Sequence, residues 1–186
     1  IKQFEIINLG VRGYDIEYAV QRFKNRGQKY NPDLVLWLLR DGDFSMINEI
    51  MKPKIDQYKK EMLADEGLLK NFYEKGEFGP WTKKAIQELG EEFNKQGGFQ
   101  YQRVALQRIN DYYKGKLVFV TPSILKDLYM SALRDFAEVR SGTYIYDALT
   151  LDYDNFADGH PTSKGYEQIA SEIFKYINSN HLIPCD

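Results

Sequence analysis

Pro32-Asp33-Leu34-Val35-Leu36-Trp37-Leu38-Leu39 is the stretch on which the fold turns. From Leu34 to Leu39 it is apolar without alternation. That is the pattern of a parallel strand covered on both faces, not of an antiparallel strand with one wet side. Pro32-Asp33 introduces the run and Arg40-Asp41-Gly42-Asp43 reads as a polar turn that ends it. Downstream, Leu117-Val118-Phe119-Val120 repeats the pattern and stops at Thr121-Pro122, and Thr143-Tyr144-Ile145-Tyr146 reads as a further strand. Upstream, Phe4-Glu5-Ile6-Ile7-Asn8-Leu9 reads as a short strand that runs into the glycine-punctuated loop Gly10-Val11-Arg12-Gly13.

Between these strands the apolar period changes to that of a helix. Asp15 can cap a helix carrying Ile16, Ala19, Val20 and Phe23, with Gly27 as its stop. Ser123 can cap a second, with Leu125, Leu128, Tyr129, Ala132 and Phe136 on one side. Thr162 or Ser163 can cap a third, which carries Tyr166, Ile169, Ala170, Ile173 and Ile177. Strands alternating with helices imply right-handed crossovers and a parallel sheet between helices, a three-layer α/β/α sandwich. In such sheets ligands gather at the carboxyl ends of the strands. The loop Gly10–Gly13, the turn Arg40–Asp43 and the segment before the last helix should therefore converge on one edge.

The segment from about Ser45 to Gly115 differs. It is long, charged and mostly helical in pattern, with breaks at Pro53, Gly67, Gly76–Pro80 and Gly97-Gly98, and an amphipathic close at Ala105, Leu106, Ile109 and Tyr113. It is too long for an ordinary connection in a sheet of this kind and reads as a helical insertion. Tyr58, Phe72, Tyr73, Phe78, Trp81, Phe93, Phe99 and Tyr101 would either form a cap over the strand ends or pack as core, and helical spacing favours core. Lys54, Lys59, Lys60, Lys83 and Lys84 read as a solvated face.

The 186 residues suit one domain spanning residues 1–186. A net charge of −2 with mixed signs gives no reason to expect nucleic acid as a partner, and no apolar run approaches a membrane span. Cys185 is the sole cysteine, so an internal disulfide and a cysteine-based metal site are both excluded, and the compartment is left undetermined.

Chemistry concentrates in Phe156-Ala157-Asp158-Gly159-His160-Pro161-Thr162-Ser163-Lys164-Gly165-Tyr166. The chain has two histidines, and the other, His181, sits in the tail. His160, in a loop at the mouth of a parallel sheet with Asp158 two residues before it, has the parts of a general base and its orienting group. The imidazole takes a proton from a hydroxyl nucleophile, and the carboxylate fixes the tautomer and stabilises the imidazolium. The alternative is a polar loop in which Asp158 and Pro161 only set up the helix start.

Asn8-Leu9-Gly10-Val11-Arg12-Gly13-Tyr14-Asp15, Pro32-Asp33-Leu34-Val35 and Asp158-Gly159-His160-Pro161, in that order and in those contexts, resemble the SGNH/GDSL family of serine esterases and lipases. The resemblance covers roughly residues 4 to 44 and 116 to 177. It implies a flavodoxin-like parallel sheet and an ester hydrolase or acyl transferase working through a serine acyl-enzyme. It also implies an ester of a small molecule or carbohydrate as substrate, and no metal or organic cofactor. His160 matches the family's base and Asp158 its orienting acid. Gly13 matches a glycine whose N–H serves the oxyanion hole, besides being a turn glycine.

The departures are specific. The family's Gly-Asp-Ser block is absent, and Ser45, Ser123, Ser131, Ser141, Ser163, Ser171 and Ser179 stand in other contexts. The nucleophile is then expected upstream of Ile1, and the chain by itself is expected to be inactive. With that block would go the first strand, which in the family lies between the next two. Its slot would be filled by other residues or another chain, or the sheet rearranged. Direct pairing of Phe4–Leu9 with Leu34–Leu39 would refute this. Gly42 stands where the family has an oxyanion-binding asparagine, leaving Arg40 or a backbone N–H as substitute beside the acidic Asp41 and Asp43. Ala157 stands at the usual aspartate position, with Asp158 one residue nearer the histidine and Asp154 as the fallback. Two other readings remain: a non-catalytic module of the same fold for carbohydrate binding or cell-surface assembly, and an unrelated doubly wound domain. The missing phosphate-cradling glycine loop argues against the last.

Overall fold

The structure, a computed structural model, describes residues 5–11, 14–45, 57, 60–61, 64–67, 70, 88, 98–122, 125, 127–149, 153–155 and 161–183. The elements in chain order are α1 (Ile16–Arg22), a π-helical turn (Phe23–Gly27), a 3-10 turn (Gln28–Tyr30), β1 (Leu34–Leu38), α2 (Asp41–Ser45), α3 (Gly98–Gln107), α4 (Ile109–Tyr112), β2 (Lys116–Pro122), α5 (Asp127–Val139), β3 (Thr143–Leu149) and α6 (Ser163–Ser179). The protein is mixed α/β, as the alternation of patterns requires. The chain divides into two compact units, one of Ile1–Leu9, Gln21–Asp41 and Gln107–Asp186, the other of Gly10–Val20 and Gly42–Leu106.

The first unit holds an open parallel sheet ordered β1-β2-β3. Leu34 pairs with Lys116 and Leu38 with Val120; on the other side Leu117 pairs with Thr143 and Val120 with Tyr146. Between Val120 and Pro122 the register slips, so that Pro122 meets Leu149. A proline has no N–H to give the ladder, and a bulge beside it is where a sheet tolerates one.

The central strand explains the unbroken apolar runs. Leu117, Val118, Phe119 and Val120 are all buried, and successive residues of a strand face opposite sides. Val118 and Val120 share a cluster with Leu149, Tyr153, Ile173, Ile177 and Leu182, so α6 covers that face. Phe119, pointing the other way, meets Phe136 of α5 edge-on at 5.5 Å and Trp37 at 5.9 Å. A strand apolar on both sides is thus matched to helices on both sides. β1 is less enclosed: Leu36 and Leu38 are 40% and 54% exposed.

The reading of Phe4–Leu9 as a strand is corrected. Glu5–Gly10 are irregular and Ile6 is 88% exposed. The apolar residues there have β propensity but no neighbouring strand among the described residues, and propensity without a ladder does not hold a strand. The end of the segment is held by a side chain instead, Arg22 Nε donating to the Leu9 carbonyl at 2.7 Å. Direct pairing of this segment with β1 is therefore not formed among the described residues. Arg40–Asp43 also differs from expectation. The turn tightens into α2 from Asp41 onward.

At the amino edge of the sheet, Arg140 gathers the strand starts. It donates to the carbonyls of Gly115 (2.7 Å) and Tyr113 (3.2 Å) and to Thr143 Oγ1 (2.9 Å), and its guanidinium lies 5.7 Å from the Tyr113 ring. The Tyr113 hydroxyl donates to Lys116 O (2.9 Å) and Pro32 O (3.2 Å), which joins the approach to β1 to the start of β2. Burial raises the Tyr113 pKa from 10.0 to about 12, Arg140 opposing and Asp33 adding to the shift.

In the second unit Asp15 caps α1 as expected, its Oδ1 accepting from Tyr18 N at 2.9 Å. Ile16, Val20, Phe44, Ala105 and Leu106 are buried. The described residues between Ser45 and Gly98 are mainly helical. The amphipathic helix expected to close this segment breaks at Arg108 into α3 and α4, with Ala105, Leu106, Ile109 and Tyr113 all buried. Of the aromatics singled out there, Phe99 and Tyr101 are half-buried; Tyr58, Phe72, Tyr73, Phe78, Trp81 and Phe93, like Ser123, lie outside the described residues.

Two outcomes follow. Arg140→Ala removes three charge-assisted bonds at a buried position and should cost about 2 kcal/mol or more, read from urea unfolding. The unfolded chain gives up the Tyr113 proton near pH 10 and the folded protein near 12, so this contribution is complete below pH 10 and lost as pH rises through 12. The loss should be on the order of 2 kcal/mol. Tyr113→Phe should be less stable at pH 9 and should lose less stability between pH 9 and pH 12 than the parent.

Candidate functional site

A parallel sheet sends its carboxyl ends to one edge, and the site begins there. β1 leads into Arg40 and α2, and β3 leads through Tyr153-Asp154-Asn155 toward α6. The orientation of α6 follows from its far end. Lys116 Nζ, at the start of β2, donates to the carbonyls of His181 (3.2 Å) and Leu182 (2.8 Å), just past the helix C-terminus. The 17 residues of α6 span roughly 25 Å at about 1.5 Å per residue, and the 7 of β2 roughly 23 Å at about 3.3 Å per residue. A helix of that length, packed on the strand and fixed at its amino end, returns its own N-terminus to the carboxyl edge.

That N-terminus is closely tied. Thr162, not Ser163, is the cap: its Oγ1 accepts from Gly165 N at 3.2 Å. The same hydroxyl donates to Asp154 Oδ2 at 2.6 Å, and Thr162 N donates to Asp154 O at 2.9 Å. Asp154 N donates to Gln168 Oε1 at 3.1 Å, one turn further along the helix. Asn155 and Pro161 then form an antiparallel bridge. Gly165 is required here, because a Cβ at this position would run into the Asp154 carbonyl. The five residues 156–160 lie between Asn155 and Pro161 in the chain.

Asp158 and His160 belong to those five, and they, like Gly13, lie outside the described residues. Asp154, the fallback for orienting His160, is described, and its Oδ2 holds Thr162. Arg40 is exposed just beyond β1; Gly42 is exposed and Asp43 half-buried in α2. Gly42 offers backbone alone, as its residue type dictates. Of the seven serines, Ser131 lies in α5, Ser163, Ser171 and Ser179 in α6, and Ser141 in the turn at the amino edge of β3, opposite the candidate site.

Beside the cap, α6 carries a shallow polar groove of about 440 Å³, lined by Tyr153, Lys164, Glu167, Gln168, Glu172 and Lys175, with Ser171. Glu172 Oε2 accepts from the hydroxyls of Tyr153 (2.8 Å) and Tyr146 (3.3 Å), which tie the helix to β3 and to the segment after it. Burial, then Glu172, pushes the Tyr146 pKa up, and burial, then Asp147 and Tyr144, does the same for Tyr176. The Tyr146 and Tyr176 rings are 4.8 Å apart. Both hydroxyls are half-buried, Tyr146 donating to Glu172 and Tyr176 to the Ile145 carbonyl. Among the described residues no group of histidine, cysteine and carboxylate side chains could hold a metal ion, and no helix is long and apolar enough to cross a membrane.

No family model matches the chain, and neither a curated protein nor a solved structure matches it.

The sequence pattern pointed to the segment but missed how it is held. The Thr-x-x-Gly spacing of Thr162 and Gly165 was a readable signal; the partnership with Asp154, eight residues upstream, was not. Thr162→Ala should destabilise the protein by about 1 kcal/mol in urea unfolding through loss of the cap, with Thr162→Ser close to the parent.

Proposed function

We propose that this chain is the larger part of a serine esterase or acyl transferase of the SGNH/GDSL type. His160 is the general base, Asp158 orients it, and Gly13 donates to the oxyanion. The nucleophilic serine comes from sequence upstream of Ile1. The substrate class is an acyl ester of a small molecule or carbohydrate, and the chemistry needs no metal or organic cofactor. The observation that supports this reading is the place of the residues flanking His160 in the chain: Asp154 and Thr162 are hydrogen-bonded, and Asn155 and Pro161 bridged, at the N-terminus of α6 by the carboxyl edge of the parallel sheet. A base used on a bound substrate must be held at the edge where ligands gather, and the described neighbours of His160 in the chain lie at that edge.

The order of events is that of acyl transfer through serine. His160 would take the hydroxyl proton as the serine attacks the ester carbonyl, and return it to the leaving alcohol. Water or a second alcohol would then release the acyl group by the same path. Arg40, exposed two residues past β1, and the backbone of Gly42 and Asp43 are the candidates for the oxyanion role that an asparagine side chain would otherwise fill. Gly42 supplies no side-chain donor, which favours the second reading, a non-catalytic module of the same fold that binds carbohydrate or takes part in cell-surface assembly.

The two readings separate on aryl-ester hydrolysis by the protein extended upstream of Ile1. The catalytic reading expects release of nitrophenol from nitrophenyl acetate, labelling by a fluorophosphonate, and a loss of about 10³-fold or more in kcat/KM on His160→Ala. A folded, extended protein that releases nothing from any aryl ester and is indifferent to His160→Ala would sink it.

A further inference from the structure

The two outer strands of the sheet are finished differently. Backbone groups along a strand point to alternate sides. Leu39 N donates to the Val120 carbonyl at 2.9 Å, so the odd-numbered residues of β1 face β2. Leu34, Leu36 and Leu38 then turn their N–H and C=O groups away from the sheet, and no hydrogen bond among the described residues reaches them. On the far side, Leu117 N donates to Gly142 O, so Thr143, Ile145 and Asp147 are the outward residues of β3. There the Ile145 carbonyl accepts from the Tyr176 hydroxyl at 3.2 Å, and Asp147 carries a carboxylate beside Arg134 (3.9 Å). β1 has no such finish. Leu36 and Leu38, in register with Val118 and Val120, project to the face that carries α6, and both are exposed.

We propose that two copies of the chain Ile1–Asp186 join β1 to β1, antiparallel about a two-fold axis at Leu36, into one continuous sheet with three strands from each copy. That axis sets Leu36 against its own counterpart and Leu34 against Leu38 of the second copy. All three are outward-facing residues, the kind that exchange both N–H···O bonds in an antiparallel pair, so every outward N–H and C=O of β1 is satisfied at once. A shift of one residue would oppose Leu36 to Trp37, whose backbone is already turned to β2. The ends choose the direction. Asp33 stands just before β1 and Arg40 two residues after it, both exposed. Antiparallel pairing brings Asp33 of each copy to the end where Arg40 of the other stands; parallel pairing would set like charge on like. The contact is isologous and closes on itself. An edge of this length buries less than the roughly 1,200 Å² of a stable interface, so the dimer is weak, with Kd on the order of 0.1 mM. Nothing in this pairing depends on His160 or on the catalytic reading.

Sedimentation of the chain from about 5 to 500 µM, with amide exchange at Leu36 and Leu38 over the same range, tests it. The mass should rise from one copy to two and stop there, and both amides should become protected in step. Leu36→Pro removes an outward N–H and no bond to β2, and should raise Kd about tenfold or more. Asp33→Arg and Arg40→Asp should each weaken the dimer several-fold, and the two together should restore it. A chain that stays monomeric, with both amides exchanging freely, overturns the proposal. So does a monomer whose amides are protected at every concentration, which would mean that other residues of the same chain cover the edge. Growth beyond two copies, or indifference to both charge reversals, overturns the antiparallel two-fold.

Discussion

The burial of β2 is the constraint from which the rest follows. A strand buried on both faces and paired on both edges can satisfy its backbone only through its neighbours, β1 and β3, and its side chains only through α6 on one face and α5 on the other. Once the start of β2 is joined to the end of α6 through Lys116, the direction of that helix is settled. With the direction settled, so is the edge at which its N-terminus lies. The location of the candidate site is a consequence of core packing, reached before any chemistry is considered.

The two edges of the sheet are built differently. At the amino edge Arg140 and Tyr113 form a dense knot of charge-assisted and neutral hydrogen bonds, with a phenol that burial keeps protonated far into the alkaline range. At the carboxyl edge the ties are short-range and concern where segments begin and end: Thr162 with Asp154, Asn155 with Pro161. The first kind of contact serves stability and the second serves placement. Parallel sheets of this kind place ligand contacts on the loops of one edge while the opposite edge holds the strands together.

The features legible in the sequence are those that depend on period and local composition. Leu34–Leu38 and Leu117–Val120 are legible because a short apolar run without alternation, bounded by turn residues, fits a buried parallel strand, and Thr143–Tyr146 because β-branched and aromatic residues suit a strand, which in the structure runs on to Leu149. The cap of α6 is legible to within one residue. The segment ending at Leu9 is not, because Ile6 and Ile7 have the composition of a strand and lack a partner, and a partner is a property of the whole fold. Asp41–Ser45 reads as a turn because its glycine and aspartates suit both a turn and a first helical turn. In the candidate site, the residue types with evident chemistry are visible at once. The partnership of Asp154 with Thr162 is not, since the two meet only after the chain has folded back on itself.

The exposed side of β1 has a consequence for the protein in solution. Leu34-Val35-Leu36-Trp37-Leu38 contains no lysine, no proline and no charge, the devices by which edge strands ordinarily discourage association, and Leu36 and Leu38 stand open to water. Among the described residues no strand lies beyond it. Such an edge has the features of a template for intermolecular β-pairing. A single lysine at Leu36 or Leu38 would act there as a gatekeeper.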